Sequence, residues 1–359
     1  MGSVRALVAI EKWRRLRLIP LAAGVGSFLV GLWLGLARLG LTLPGGTPAV
    51  AELHGALMIS GFLGTVICLE RAVAIGRWWA YAAPMLSAIG AVGLIVDAPV
   101  FASGAFLLAS IGLTVNSGTI AARQPALFTV LLTIAAACWV CGTIIWIQGA
   151  GAANVAGWWL AFLVFTIAAE RLELSRLLSP PRSSQVTFVF ALALIIIGMV
   201  RGEIAGQGAP FTGVGLLAVT VWLVKHDIAL RTIRLSGQAR FSASCLLAGY
   251  FWLGIAGLLF LIALPGTTIF SYDAAVHAVA IGFVLSMIFG HAPIILPAVI
   301  GLRVRYSAAV YGPLVLLHLS LLLRTTADLF NSVDIRTISG PVTIVAIISY
   351  AVILIASRS

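Results

Sequence analysis

Apolar runs of about 20 residues, cut by short polar segments, recur along the whole chain. They fall at about 18–41, 51–74, 79–98, 100–121, 125–148, 153–172, 186–203, 210–230, 240–265, 271–300, 305–326 and 337–357. A hydrocarbon core about 30 Å thick is crossed by roughly 20 apolar residues in a helix. Each run therefore predicts a transmembrane helix, and the loops between them are short. The predicted fold class is all-α: a polytopic membrane protein with about 12 transmembrane helices. Residues 1–17 read as a basic cytoplasmic N-terminal arm and 18–359 as a single twelve-helix transmembrane domain. A cleaved secretory signal is not expected, because no small-residue cleavage pattern follows the first apolar run.

Composition supports lipid as the solvent. Of 359 residues, 61% are hydrophobic and 9% charged, with a mean hydropathy of +1.13. A soluble fold of this size could not hide so much apolar surface. The net charge of +11 does not point to nucleic acid, since the basic residues are spread over the loops rather than gathered on one soluble face. Cys68, Cys138, Cys141 and Cys245 are scattered and suggest no disulfide framework. The CxxC of Cys138 and Cys141 lies inside an apolar run, where cysteine packs as a small hydrophobe.

The charges also set the orientation. With the amino terminus inside, only Arg38, Arg201, Arg324 and Arg336 fall outside, which leaves 18 of the 22 Lys and Arg residues on the inner side. By the positive-inside rule both termini are cytoplasmic, in an inner membrane.

Five histidines stand against this apolar background. An imidazole buried at membrane depth needs a partner and marks a candidate functional site. The tenth run, DAAVHAVAIGFVLSMIFGHAPIILP, holds two, His277 and His291, fourteen residues apart. That spacing is nearly four helical turns, so both lie on almost the same face, roughly 21 Å apart along the axis. The second run, ELHGALMISGFLGTVICLER, places His54 near its outer end, at a depth like that of His277 on a parallel helix. Two neutral imidazoles at one level are the arrangement that clamps haem iron from both sides. Small residues around each leave room for a flat macrocycle or for close helix packing. The alternative is ordinary packing, with each imidazole hydrogen-bonded to a backbone carbonyl. The outer Arg38, Arg201, Arg324 and Arg336 are candidates for haem propionates, as guanidinium suits carboxylate, or are interfacial anchors.

Nearer the inner face, His291, with His318 in VLLHLSLLLR or Cys68 fourteen residues after His54, is a candidate second metal or gas-ligand site, for a second haem or copper. Pro293 and Pro297 are expected to break the tenth helix there and free carbonyls. The plain alternative pairs His291 with a carboxylate. Glu70–Arg71 and Glu170–Arg171 end the second and sixth runs. They read as salt bridges at the inner interface, or as a polar or proton path towards His291. His226 reads as a solvated residue of the headgroup region.

Twelve helices, LHGALMISGF in the second and HAVAIGFVLSMIFGH in the tenth resemble the catalytic subunit of the haem–copper oxidases and, more closely, the NnrS family of haem- and copper-containing membrane proteins linked to nitric oxide metabolism. The resemblance implies a haem–copper-oxidase-like bundle, with His54 and His277 as ligands of a low-spin haem b. It departs at the sixth and seventh helices, which hold no histidine, so the tandem copper ligands of the oxidases are absent and oxygen reduction is not expected. The expected function is electron transfer or the handling of a small gas such as nitric oxide, with a redox partner subunit. The alternatives are a proton-coupled transporter without cofactor, in which the histidines, Glu70, Glu170 and the tenth helix form the path, or a structural membrane subunit of a redox complex.

Overall fold

The structure, a computed structural model, describes residues 2–264 and 268–358, without the side chains of 2–16, 204–205 and 298–300. The side chains of Arg5, Lys12, Arg14 and Arg15 in the basic arm thus lie outside the described residues. Among the described residues twelve helices are long and apolar enough to cross a membrane: α1 (Arg17–Arg38), α2 (Pro48–Ile75), α3 (Trp78–Ile95), α4 (Pro99–Arg123), α5 (Leu127–Ile147), α6 (Ala152–Leu178), α7 (Arg182–Glu203), α8 (Ala209–His226), α9 (Gly237–Ile262), α10 (Ser271–Pro297), α11 (Ala308–Leu329) and α12 (Val333–Ala356). The backbone of the basic arm is helical and runs into α1 from Gly2 without a break. Among the described residues no strand forms; an isolated antiparallel bridge joins Val304 to Arg358. The all-α, twelve-span fold class read from the sequence is therefore the observed one.

Contacts group the chain, for which the sequence suggested one transmembrane domain, into two compact units. Unit 1 is Met1–Phe162 with Ile295–Leu302, and unit 2 is Leu163–Ile294 with Arg303–Ser359. In unit 1, α2 packs on α1 and α3, and α4 packs on α3 and α5. In unit 2, each of α7 to α11 packs on the next in sequence. On α4 much of the inward face is small, around the buried Phe106 and Leu113, and the outward face is large. Ala102, Ala105 and Ala109 are buried, while Phe101, Leu108, Ile111 and Val115 are exposed at helical spacing. Lipid solvates such large apolar side chains, and small inward ones let helices approach closely.

Prolines inside spans remove a helical donor and leave the carbonyl four residues earlier without its partner. Here neighbouring helices supply one. Pro84 in α3 leaves Ala80 O, which accepts from Asn116 Nδ2 of α4 at 3.0 Å. Pro293 in α10 leaves Phe289 O, which accepts a short hydrogen bond from the Tyr350 hydroxyl of α12. The expected break at Pro293 and Pro297 does not occur: α10 continues as helix through both, and at Pro293 the orphaned carbonyl is satisfied from outside. The irregularity of α10 lies earlier instead, in a π-helical stretch at Ala278–Leu285.

Candidate functional site

In unit 1, His54 is seated by α1. Its Nδ1 lies 2.6 Å from Gly31 O. A carbonyl only accepts, so Nδ1 carries the proton and Nε2 is the basic nitrogen. Gly35, one turn on, makes room for the ring: a Cβ there would lie 2.8 Å from His54 Cε1. Gly31 and Gly35 form GLWLG, a small-xxx-small pattern that lets two helix backbones approach. Sequence reasoning passed over this signal. At the same end Arg38 Nη1 pairs with Glu52 Oε1 at 2.7 Å, both partly exposed.

In unit 2, His277 sits in a charged cluster. Its Nδ1 is 2.9 Å from Asp273 O and 3.4 Å from Asp273 Oδ1, which fixes the same tautomer as at His54. Asp273 Oδ2 accepts from Arg324 Nη2 at 2.7 Å and from Arg336 Nη2 at 2.9 Å. Arg336 Nε reaches Asp328 Oδ1 at 2.7 Å, and its guanidinium lies over the Phe270 ring. The Asp328 side chain is fully buried. Two arginines and two aspartates thus tie α10, α11 and α12 together. Sequence reasoning missed both aspartates, although Asp273–His277 and Arg324–Asp328 each stand four apart on a helix. Arg324 and Arg336, read as possible propionate partners, are engaged by these carboxylates. Arg201, the other outer candidate, lies over the Phe211 ring.

The two histidine spans share a backbone device. An eight-residue π-helical segment, Leu57–Gly64 in α2 and Ala278–Leu285 in α10, interrupts each span. The segments match in register. Each follows a carboxylate by five residues (Glu52, Asp273), holds Gly-Phe at its fifth and sixth positions (Gly61-Phe62, Gly282-Phe283), and is followed at once by a hydroxyl residue (Thr65, Ser286). Both glycines are required by close approach. A Cβ at Gly61 would meet Ser27 Oγ at 2.1 Å, and one at Gly282 would meet Trp252 Cβ at 2.4 Å. π-Helical turns are rare and concentrate at functional sites. His54 precedes its segment by three residues and His277 by one, so the imidazoles are near, but not at, equivalent positions.

The other candidates are accounted for as follows. His291 Nδ1 lies 2.6 Å from Met287 O, and its Nε2 lies 3.0 Å from Arg171 Nη2. The nitrogen needed for a metal therefore accepts from a guanidinium, that of Arg171. His318 Nε2 is 3.4 Å from Ser286 Oγ, while Ser286 Oγ donates to Cys245 O. Cys68 is buried in α2. Glu70 and Arg71 lie 3.6 Å apart as sequence neighbours. His226 is held by Ser184 Oγ at 2.8 Å against the Trp222 ring, so it is anchored rather than merely solvated. All four cysteines are free thiols. Among the described residues no group of three or more His, Cys, Asp or Glu side chains is placed to hold a metal ion.

Twelve apolar spans among the described residues define a multi-pass membrane protein. Residues 16–359 match the family described as Domain of unknown function (DUF8744), and the chain belongs to that family. No curated protein matches the chain.

Proposed function

We propose that the protein is a haem-b membrane protein of electron transfer or small-gas handling, nitric oxide being the gas the sequence resemblance favours. His54 and His277 would hold its iron, each through Nε2. The observation that carries this reading is the matched setting of the two imidazoles. Each stands just ahead of a π-helical segment, with its Nδ1–H held by a backbone carbonyl. Haem ligands are fixed in this way, the second nitrogen's hydrogen bond orienting the ring and raising the basicity of the ligating one. The same carbonyl bonds also satisfy the plain packing reading, so a spectrum decides between them. Bound haem would supply a one-electron couple and an iron that can meet a small gas. The membrane is the cytoplasmic one with both termini inside, by the charge bias, and a redox partner subunit supplies electrons. A second metal at His291 or His318 finds less support, because His291 Nε2 is taken by Arg171.

A second reading, a proton-coupled transporter without cofactor, is favoured by the buried charges of α10 to α12 and by Arg171. The purified protein separates the two. The first reading expects a b-type reduced-minus-oxidised difference spectrum, lost in His54→Ala and His277→Ala and kept in His226→Ala. A colourless protein that carries protons or a solute into proteoliposomes would favour the second.

A further inference from the structure

The two ends of unit 2 use arginine differently. At the end marked by His277, Arg324 and Arg336 are paired with Asp273 and Asp328. At the other end of these spans Arg231, Arg234, Arg240, Arg303, Arg305 and Arg358 are all exposed. Among the described residues none of the six guanidinium groups has a carboxylate partner. The segments that hold them, 229–240, 301–307 and 351–358, contain no Asp or Glu.

The chain fastens these segments to one another. Val304 and Arg358 form an antiparallel bridge, and Arg305 N donates to Ser357 O at 2.8 Å. The residues after α12 thus lie along the link between α10 and α11, with Arg303 and Arg305 flanking Val304. The start of α9, which carries Arg240, is seated against the same link and the start of α11. A Cβ at Gly237 would lie 3.9 Å from the Tyr306 ring. The Phe241 ring stands edge-on to Tyr311 with centroids 5.2 Å apart, and Ser244 Oγ is 3.4 Å from the Tyr311 hydroxyl. The short helix Ala229–Thr232, which carries Arg231, packs on α9 in turn.

The positive-inside rule requires only that basic residues lie on one side of the membrane. It does not require that backbone pairing gather them, or that all six be arginine. A planar guanidinium meets phosphate oxygens two at a time, and basic clusters at a membrane surface attract anionic headgroups. Tyr306, exposed beside Arg305, is an amphipathic ring of the kind that sits at headgroup level. A rim already fixed by its backbone loses less freedom on binding.

We infer that this arginine rim of unit 2 binds the phosphate groups of anionic phospholipids in the adjoining leaflet. The inference holds whichever reading of the histidines is right.

The full chain in neutral detergent is titrated with short-chain phosphatidylglycerol while thermal unfolding is followed, with short-chain phosphatidylcholine and inorganic phosphate as separate arms. Phosphatidylglycerol should raise the Tm and the other two should not. Arg305→Gln combined with Arg358→Gln keeps the backbone bridge and should weaken the lipid response about fivefold per arginine. Arg77→Gln combined with Arg123→Gln removes the same charge from exposed positions of unit 1 and should leave the response unchanged. Equal weakening in the two double variants would reduce the effect to net charge and overturn the inference. So would an equal rise in Tm with phosphatidylcholine, or with inorganic phosphate. Native mass spectrometry of the wild-type chain tests the same point without variants: phosphatidylglycerol should be retained over phosphatidylcholine, and equal retention of both would overturn the inference.

Discussion

The spans α2 and α10 carry the same backbone device in opposite electrostatic surroundings. In α2, the π-helical segment is held by neutral groups. Ser27 of α1 donates to Leu57 O and Ser87 of α3 to Ser60 O, each near 2.9 Å, while Trp139 Nε1 donates to Ser60 Oγ. Its carboxylate, Glu52, pairs with Arg38 where both are partly exposed. In α10, the carboxylate at the matching position, Asp273, is gripped by two arginines in a buried network. The histidines differ in the same sense: His54 is oriented by a neighbouring helix, His277 by its own preceding turn and a charged residue. The comparison suggests that the π segment, with its glycine, sets the geometry of each span, while the surrounding charges set how strongly each end is fixed.

The largest expected effect comes from the charged side. Asp328→Asn leaves Arg336 buried with one charge partner fewer, and breaking a buried ion pair costs about 3–5 kcal/mol. Thermal unfolding in detergent should show a large fall in Tm; a small one would mean that water reaches the cluster. Next come the two glycines. Gly61→Ala and Gly282→Ala force a Cβ into a neighbouring helix, and overpacking costs about 1–3 kcal/mol. Gly55→Ala, where a Cβ meets nothing within 4 Å, should be neutral or slightly stabilising by roughly 0.5–1 kcal/mol, since alanine restricts the unfolded chain. Equal behaviour of all three would break the analogy between the π segments. Smallest is Glu52→Gln, which removes a partly exposed ion pair worth about 0–1 kcal/mol. A loss as large as that of Asp328→Asn would erase the contrast between the two ends.

The spans were readable from the sequence because length and hydropathy alone dictate where lipid is crossed. The stretch HAVAIGFVLSMIFGH also declared its histidines. Its π turn was not readable, since Gly282 matters through Trp252 and Leu321, residues far from it in the chain. The prolines misled for a related reason: Pro293 should break a helix, yet Tyr350 of α12 supplies the lost donor. The Glu170–Arg171 pair was noticed, but the sequence does not reveal that the Arg171 guanidinium meets His291. Asp273 and Asp328 were overlooked because attention went to carboxylates at the inner ends of spans. Their i,i+4 relation to His277 and Arg324 was legible all along.

Electron paramagnetic resonance of the oxidised protein probes the proposal that His54 and His277 hold one haem iron. A low-spin ferric signal is expected in the wild type, which either His54→Ala or His277→Ala alone abolishes and His226→Ala leaves intact. A protein that purifies without haem, or a low-spin signal that survives both single substitutions, would contradict it.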